Sequence, residues 1–238
     1  MNTMEKLLIL SLLACLPLVA QLPDAEPLPV QSPISGSIST TVSSDYIWRG
    51  ILGDSNASLF SDVTLSYNDF FVSYWNYIAM ASRGNGLPRL GEHDFIIGYT
   101  YNNLTFSFTE YQFPKYEDTR EVSISSEIPS PVGDLVLFSA YDTEIQGAYS
   151  NISYSYTYTE PSTLVSLTPW VSVGFGSEKY NEYYFGEHKY DFNDISVGLS
   201  AEKTSDALTY SGGVTYTENA GFELNSSITV SAGISYSF

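Results

Sequence analysis

The sequence is poor in cysteine, in basic residues and in long apolar runs. Its 238 residues include one cysteine, Cys15, which lies in an apolar N-terminal stretch, so the exported chain is expected to contain no disulfide. Nine Lys and Arg residues stand against 27 acidic residues, a net charge of −18, and the absence of a basic cluster argues against a nucleic-acid partner. After residue 20 no segment is apolar enough for a membrane-spanning helix, and none shows sustained helical periodicity, so we expect no helix there.

The N-terminus predicts export. In "MNTMEKLLILSLLACLPLVAQ", Lys6 precedes an apolar run that is too short to span a bilayer, which is typical of a secretory signal peptide over residues 1–20. Residues 21–33 form a Pro-rich leader, expected to be extended. An alternative stays open: "LLAC" at 12–15 is similar to a lipobox, in which Cys15 would be lipidated rather than lost with the signal peptide.

From Ile34 onward the sequence has a period of two. In "SSITVSAGISYSF" aliphatic and aromatic residues alternate with Ser, Thr and Gly, which is typical of a strand between an apolar and a polar medium. Segments of this kind predict twelve strands, an even number. The expected strands are 34–48, 58–67, 70–80, 93–101, 104–111, 121–128, 134–142, 147–159, 163–175, 190–202, 206–217 and 225–238.

The connections alternate between short turns, such as "ND" at 68–69 and "NN" at 102–103, and longer, more charged loops, such as 81–92 and 176–189. Short turns at one end and long loops at the other are typical of outer-membrane barrels. A soluble β-sandwich also alternates, but its outer face would carry many charges, whereas the polar face here is Ser, Thr and Gly. We therefore predict an all-β fold: one antiparallel up-and-down transmembrane β-barrel over residues 34–238, with bulky side chains facing lipid and hydroxyls facing a wet lumen.

The stretch "SSDYIWRG" at 43–50 interrupts this pattern with an acid, two aromatic residues, an arginine and a glycine. Continuing the alternation places Tyr46 and Trp48 in a lipid-facing aromatic girdle near the long-loop end. Asp45 and Arg49 then face the lumen, too far apart to pair with each other, so each needs a partner from another strand or loop. An equally weighted alternative is that Arg49 is a solvated residue at a strand end.

The stretch "SGSISTTVSSDYIWRGILGDSNASLFSDVTLSY" at 35–67 resembles the opening of the Gcw_chp or TorF family of bacterial outer-membrane porins. The terminal "SYSF" is similar to the last strand of many outer-membrane proteins. The resemblance implies a pore in a Gram-negative outer membrane, recognition of Phe238 by the barrel-assembly machinery, and contact with outer-membrane lipid and lipopolysaccharide. It implies no catalytic residues and no cofactor.

Alternation places further acids on the lumen face: Asp62, Glu127, Asp194 and Glu202. With Asp45 and Arg49 they are the predicted pore-lining residues, and their charge would favour cations. The alternative is that these acids are scattered and satisfied by lumen neighbours. Most basic residues outside the signal lie in or beside long connections, where they could meet lipopolysaccharide phosphates or simply be solvated.

We expect a passive channel for small hydrophilic solutes or cations, not an enzyme, with loop 81–92 or 176–189 folding inward to restrict it. One alternative is a structural or adhesive barrel with a plugged lumen. Another is a barrel-embedded enzyme that uses His188 beside Glu187 and Asp191, although no serine is placed against either histidine. The two histidines, His93 and His188, are not spaced as metal ligands usually are, so the sequence predicts no metal site.

Overall fold

The structure, a computed structural model, describes residues 33–80, 89–114, 117–219 and 226–238. The predicted signal peptide, Cys15 and most of loop 81–92 lie outside the described residues. The elements are β1 (Ile34–Ser43), β2 (Tyr46–Trp48), β3 (Ile51–Asp54), β4 (Ser58–Tyr67), β5 (Phe70–Ala79), β6 (Arg89–Tyr101), β7 (Leu104–Gln112), β8 (Thr119–Ser130), β9 (Gly133–Asp142), β10 (Gly147–Ser155), β11 (Tyr158–Glu160), β12 (Val165–Gly176), α1 (Glu178–Phe185), β13 (Asp191–Ser205), β14 (Leu208–Asn219) and β15 (Ser227–Ser237).

Every strand except β2 and β3 belongs to one closed antiparallel sheet. Sequential strands of the sheet pair with each other apart from β10 and β11, β10 pairs with β12, and β1 pairs with β15, so the sheet closes into a ring. Because β10 and β11 both pair with β12 and form one interrupted strand, the barrel has twelve strands. The predicted fold is confirmed. The predicted strands overlap the observed ones, but β6 begins at Arg89 rather than at residue 93, the strand predicted over 147–159 is interrupted, and residues 44–57 differ.

The two faces of the sheet differ as alternation predicts. On β15, Ile228 is 65% exposed and Val230 57% exposed on the outside, whereas the intervening Ser227 and Thr229 face inward and are only partly accessible. The exposed apolar side chains continue around the ring, for example Phe95, Ile97 and Leu199. A soluble sandwich would bury these residues in a dry core, so the outward apolar face fits hydrocarbon.

The short turns use residues that tolerate a left-handed backbone. Asn68, Asn102 and Asp206 begin two-residue turns and have φ of 51°, 52° and 54°. Asn and Asp adopt this conformation at lower cost than other non-glycine residues. At the same end of the barrel, the backbone N–H groups of Gly36 and Phe238 each donate to the other residue's carbonyl oxygen. Both chain ends of the barrel therefore lie on the short-turn side, as predicted.

Two features were not predicted. The barrel strand β1 ends at Ser43 rather than at residue 48, and residues 46–54 form a separate two-stranded hairpin, β2–β3. The expectation of no helix after residue 20 is also wrong, because α1 spans Glu178–Phe185. The Ser177 hydroxyl accepts a hydrogen bond from the Tyr180 N–H at its start, and Gly186 ends it with φ of 72°. No helix among the described residues is both long and apolar enough to cross a membrane.

Candidate functional site: a hairpin across the lumen

The chain turns into the barrel immediately after β1. The Ser44 N–H donates to the Val230 carbonyl at 2.9 Å, and the Ser44 hydroxyl accepts from the Val230 N–H at 3.0 Å. Asp45 then accepts from the hydroxyls of Ser44 at 2.9 Å and Ser227 at 2.5 Å. These bonds end the outward alternation at Ser43 and direct the next residues toward the lumen.

The β2–β3 hairpin closes through a two-residue turn at Arg49 and Gly50, with Trp48 opposite Ile51. Arg49 has φ of 50° and Gly50 has φ of 77°, the positive values that a type I′ hairpin turn requires. A Cβ on Gly50 would lie 2.5 Å from the Cβ of Asp194 on β13. Glycine is thus required at this position both by its backbone conformation and by the approach of the wall.

At the hairpin tip, Arg49 makes a bidentate ion pair with Glu121 of β8, at 2.7 and 2.8 Å. The two side chains are only 11% and 5% exposed. The guanidinium also lies 4.5 Å from the centre of the Trp48 ring and 4.7 Å from that of Tyr149. Opposite β8, the Asn219 side-chain N–H of β14 donates to the Gly50 carbonyl at 3.3 Å. The hairpin therefore bridges opposite walls of the barrel.

The base of the hairpin is held by aromatic side chains on β4 and β5. The Tyr46 ring lies 5.5 Å from Phe60, 6.0 Å from Trp75 and 4.7 Å from Tyr77. Its hydroxyl donates to Glu92 of β6 at 2.8 Å. All of these wall residues face the lumen in the strand register.

Trp48 contacts the other wall and the helix. Its ring lies 6.1 Å from Tyr111 of β7 and 5.4 Å from Tyr184 of α1. The prediction of a lipid-facing girdle for Tyr46 and Trp48 is therefore wrong. The alternation that predicted it continues through residue 48, but the strand that carries it leaves the sheet at Ser43.

Helix α1 covers the lumen above this contact. Its Tyr180 ring lies 5.5 Å from Tyr149 of β10, and Tyr184 lies 4.6 Å from Tyr180. Burial raises the pKa of Tyr180 and of Tyr184 above the ordinary value. Part of loop 176–189 does fold inward, as expected, but it does so as a helix that supports the hairpin.

The predicted pore-lining residues lie in two regions. Asp45, Arg49, Asp62 and Asp194 line a cavity of about 710 Å³ between the hairpin and the wall. Arg49 is buried in an ion pair, so it is not a solvated strand end, and it is not accessible to lipopolysaccharide. Glu127 and Glu202 face the lumen nearer the short turns, are exposed, and are not brought together with the other four.

Sequence reasoning missed several acids on the same wall: Glu92, Asp94, Glu121 and Asp142 are all buried. The alternation does place Asp94 and Glu121 on the lumen face. They were missed because the strands that carry them were predicted to begin only near these residues. The hairpin residues could not have been assigned to these partners, since the contacts join positions such as 49 and 121, far apart in the sequence.

The histidines lie apart from this site. His93 points outward and its Nδ1 is hydrogen-bonded to the Tyr74 hydroxyl at 2.5 Å, whereas His188 is exposed beside Glu182 at 3.6 Å. In the described part of the chain no three or more His, Cys, Asp or Glu side chains are grouped to hold a metal ion.

No family model matches the chain, and no curated protein matches it. Among solved structures, it is similar to the KdgM porin, with a TM-score of 0.54 and 11% identity over 86% of this chain and 99% of that chain. The fold is that of an outer-membrane porin. The same porin in complex with disordered oligogalacturonate gives a TM-score of 0.53 at 11% identity, over 86% and 99% of the two chains. An outer-membrane channel from Pseudomonas putida F1 gives 0.48 at 10% identity, over 92% and 100%.

Proposed function

We propose that this protein is a passive channel in the bacterial outer membrane for small hydrophilic solutes, selective for cations, and that the β2–β3 hairpin forms its constriction. The observation that carries the proposal is the charge of the lumen. Among the basic side chains that the structure describes, Arg49 alone lies inside, and it is neutralised by Glu121. Asp62, Asp94 and Asp194 line the cavity beside the hairpin, and Glu127 and Glu202 face the lumen nearer the short turns.

An acidic lumen favours cations because the low-dielectric wall concentrates the field of its carboxylates in the pore. The solved structure of the KdgM porin contains oligogalacturonate, a polyanion. The carboxylates in the present lumen would repel such a solute, so we propose a different substrate class for this chain. We further propose that the chain belongs to the Gcw_chp or TorF family, is exported through a signal peptide, contacts lipopolysaccharide and is assembled through recognition of Phe238.

The test is a planar-bilayer recording across a KCl gradient. We expect ion conductance with a reversal potential of the sign that indicates K⁺ preference. Glu202→Gln and Glu127→Gln should each weaken that preference, since both carboxylates are exposed in the lumen. Glu160→Gln is the matched control: Glu160 pairs in register with Val165 on the outward face at the same end, whereas Glu202 opposes Ser166 on the lumen face. Conductance with chloride preference would overturn the proposal.

A plugged barrel is the second candidate, favoured by the contacts that the hairpin makes around the ring. Ser43 and Ser58 are direct cross-strand partners, so an Asn-Gly turn can replace residues 44–57 without moving β1 or β4. A channel narrowed by the hairpin conducts in the wild type and more strongly in this variant. A wild type that is silent beside a conducting variant would establish the plugged barrel instead.

A further inference from the structure

One lumen carboxylate differs from its neighbours. Asp94 on β6 is 7% exposed, and within the described part of the chain its buried Oδ1 has no hydrogen-bond partner. A buried carboxylate oxygen without a donor costs free energy, so it calls for a partner such as a water, an ion or a ligand.

The acids around Asp94 already have donors. Glu92 accepts from the Tyr46 hydroxyl at 2.8 Å, and Glu121 accepts from Arg49 at 2.7 and 2.8 Å and from Tyr111 at 3.1 Å. On β4, Asp62 accepts from the hydroxyls of Thr64 at 3.1 Å and Ser73 at 2.8 Å. The arrangement that holds the hairpin thus leaves the Asp94 oxygen for a group from outside the chain.

Aromatic residues are the cross-strand neighbours of Asp94. In the strand register Asp94 lies directly opposite Trp75 on β5 and Tyr111 on β7. The Trp75 ring is stacked on Phe60 of β4 at 5.6 Å. Trp75 and Tyr111 adjoin Asp94 directly on the lumen face, whereas Phe60 lies one strand further away. Aromatic faces attract organic cations through their negative quadrupole, Trp most strongly.

The space at Asp94 suits a small molecule. Asp94, Trp75, Tyr111 and Phe60 line the cavity of about 710 Å³ beside the hairpin, a volume typical of small-molecule sites. Since the described residues contain no cluster of acids or histidines able to hold a metal ion, the chemistry here fits an organic cation better than an inorganic one.

We propose that Asp94, with the rings of Trp75 and Tyr111, forms a binding site in the lumen for a compact organic ammonium, whose N–H groups donate to the Asp94 carboxylate while its apolar body lies against the rings. The site rests on the proposed function, because the solute must reach the lumen. Beyond passive diffusion, the lumen then contains a saturable site for one chemical class of solute, organic ammonium ions.

All three tryptophans of the chain, Trp48, Trp75 and Trp170, line this cavity, so intrinsic fluorescence reports its occupancy. The experiment titrates the folded barrel in detergent with benzylammonium chloride and, in parallel, with benzyl alcohol, which has a similar shape without the charge. We expect saturable quenching by benzylammonium and at least tenfold weaker binding of benzyl alcohol, since a charge-assisted hydrogen bond is lost. Equal binding of the two probes would overturn the site.

Asp94→Asn should weaken benzylammonium binding about tenfold or more. Asp62→Asn is the matched control, because Asp62 lines the same cavity and is the same type of residue, but both of its oxygens are already hydrogen-bonded. Equal losses in the two variants would show a diffuse field rather than a site. A gel-mobility shift on heating verifies that each variant is folded.

The fluorescence titration measures binding without requiring ion conduction, so the site and the channel are tested independently. A barrel that conducts but does not bind benzylammonium refutes the site alone, whereas binding by a barrel that does not conduct refutes the channel alone.

Discussion

At the scale of single residues, Arg49 decides the state of the lumen. It adopts a left-handed backbone conformation, φ of 50°, that is unfavourable for a non-glycine residue, and it buries a guanidinium. Both costs are offset by one bidentate ion pair with Glu121 and by the rings of Trp48 and Tyr149. The side chain that was predicted from the sequence to line the pore is therefore the anchor of the hairpin.

Arg49→Gln should release the hairpin, because it leaves the Glu121 carboxylate buried without its partner. Removing one member of a buried ion pair costs about 3–5 kcal/mol. We expect a higher single-channel conductance and faster proteolysis at residues 44–57. Lys179→Gln is the control: Lys179 pairs with Glu182 at 2.8 Å, but the side chains are 61% and 37% exposed, so we expect little change.

A double variant separates charge from packing. Arg49→Gln combined with Glu121→Gln removes the uncompensated charge and should restore much of the wild-type conductance. If the double variant is as open as Arg49→Gln alone, lost packing of the guanidinium rather than the unpaired carboxylate opens the channel.

At the scale of elements, the hairpin depends on its turn. Gly50→Ala should destabilise the docked hairpin by about 1–3 kcal/mol, because the φ of 77° strains alanine and its Cβ meets Asp194. Hydrogen exchange of the β2 and β3 amides measures the effect. Gly186 offers the comparison: its φ is 72°, but a Cβ there would meet nothing within 4 Å.

Gly186→Ala therefore carries only the backbone strain, and its effect should be the smaller of the two. Similar effects of both substitutions on their own elements would mean that contact with the wall at Asp194 contributes nothing to the position of the hairpin.

The elements also show what the sequence could reveal. The period of two is a local property, set by which face each side chain meets, so it predicted the barrel strands closely. The inward turn after Ser43 could not be predicted, because it depends on hydrogen bonds to Ser227 and Val230 at the other end of the chain. Helix α1 was missed although Ser177 and Gly186 are suitable caps, because its tyrosines favour strands and its apolar periodicity is weak.

At the scale of the whole molecule, the proposed channel and its lumen site both depend on which face of the sheet meets lipid and which meets water. Substituting neighbouring residues at mid-strand tests it directly. On β13, Leu199 is 45% exposed on the outward face, whereas Ser200 faces the lumen opposite Thr168 and Gly213.

Leu199→Arg should lower the free energy of unfolding in lipid vesicles by about 2–4 kcal/mol, since it places a charge in hydrocarbon. Ser200→Arg should cost much less, because its charge meets water and acidic neighbours, and it should reduce cation preference. A larger stability loss for Ser200→Arg would contradict the assignment of the faces.

The seam of the barrel constrains the order in which it is built. Ser37 pairs with Ser237, so the first and last barrel strands meet only after nearly the whole chain has been synthesised. The hairpin leaves β1 early in synthesis, yet its contacts with Asp194 and Asn219 belong to strands made near the end. The hairpin can therefore complete its docking only when the late strands β13 and β14 have joined the sheet, so docking of the hairpin and closure of the ring are coupled steps.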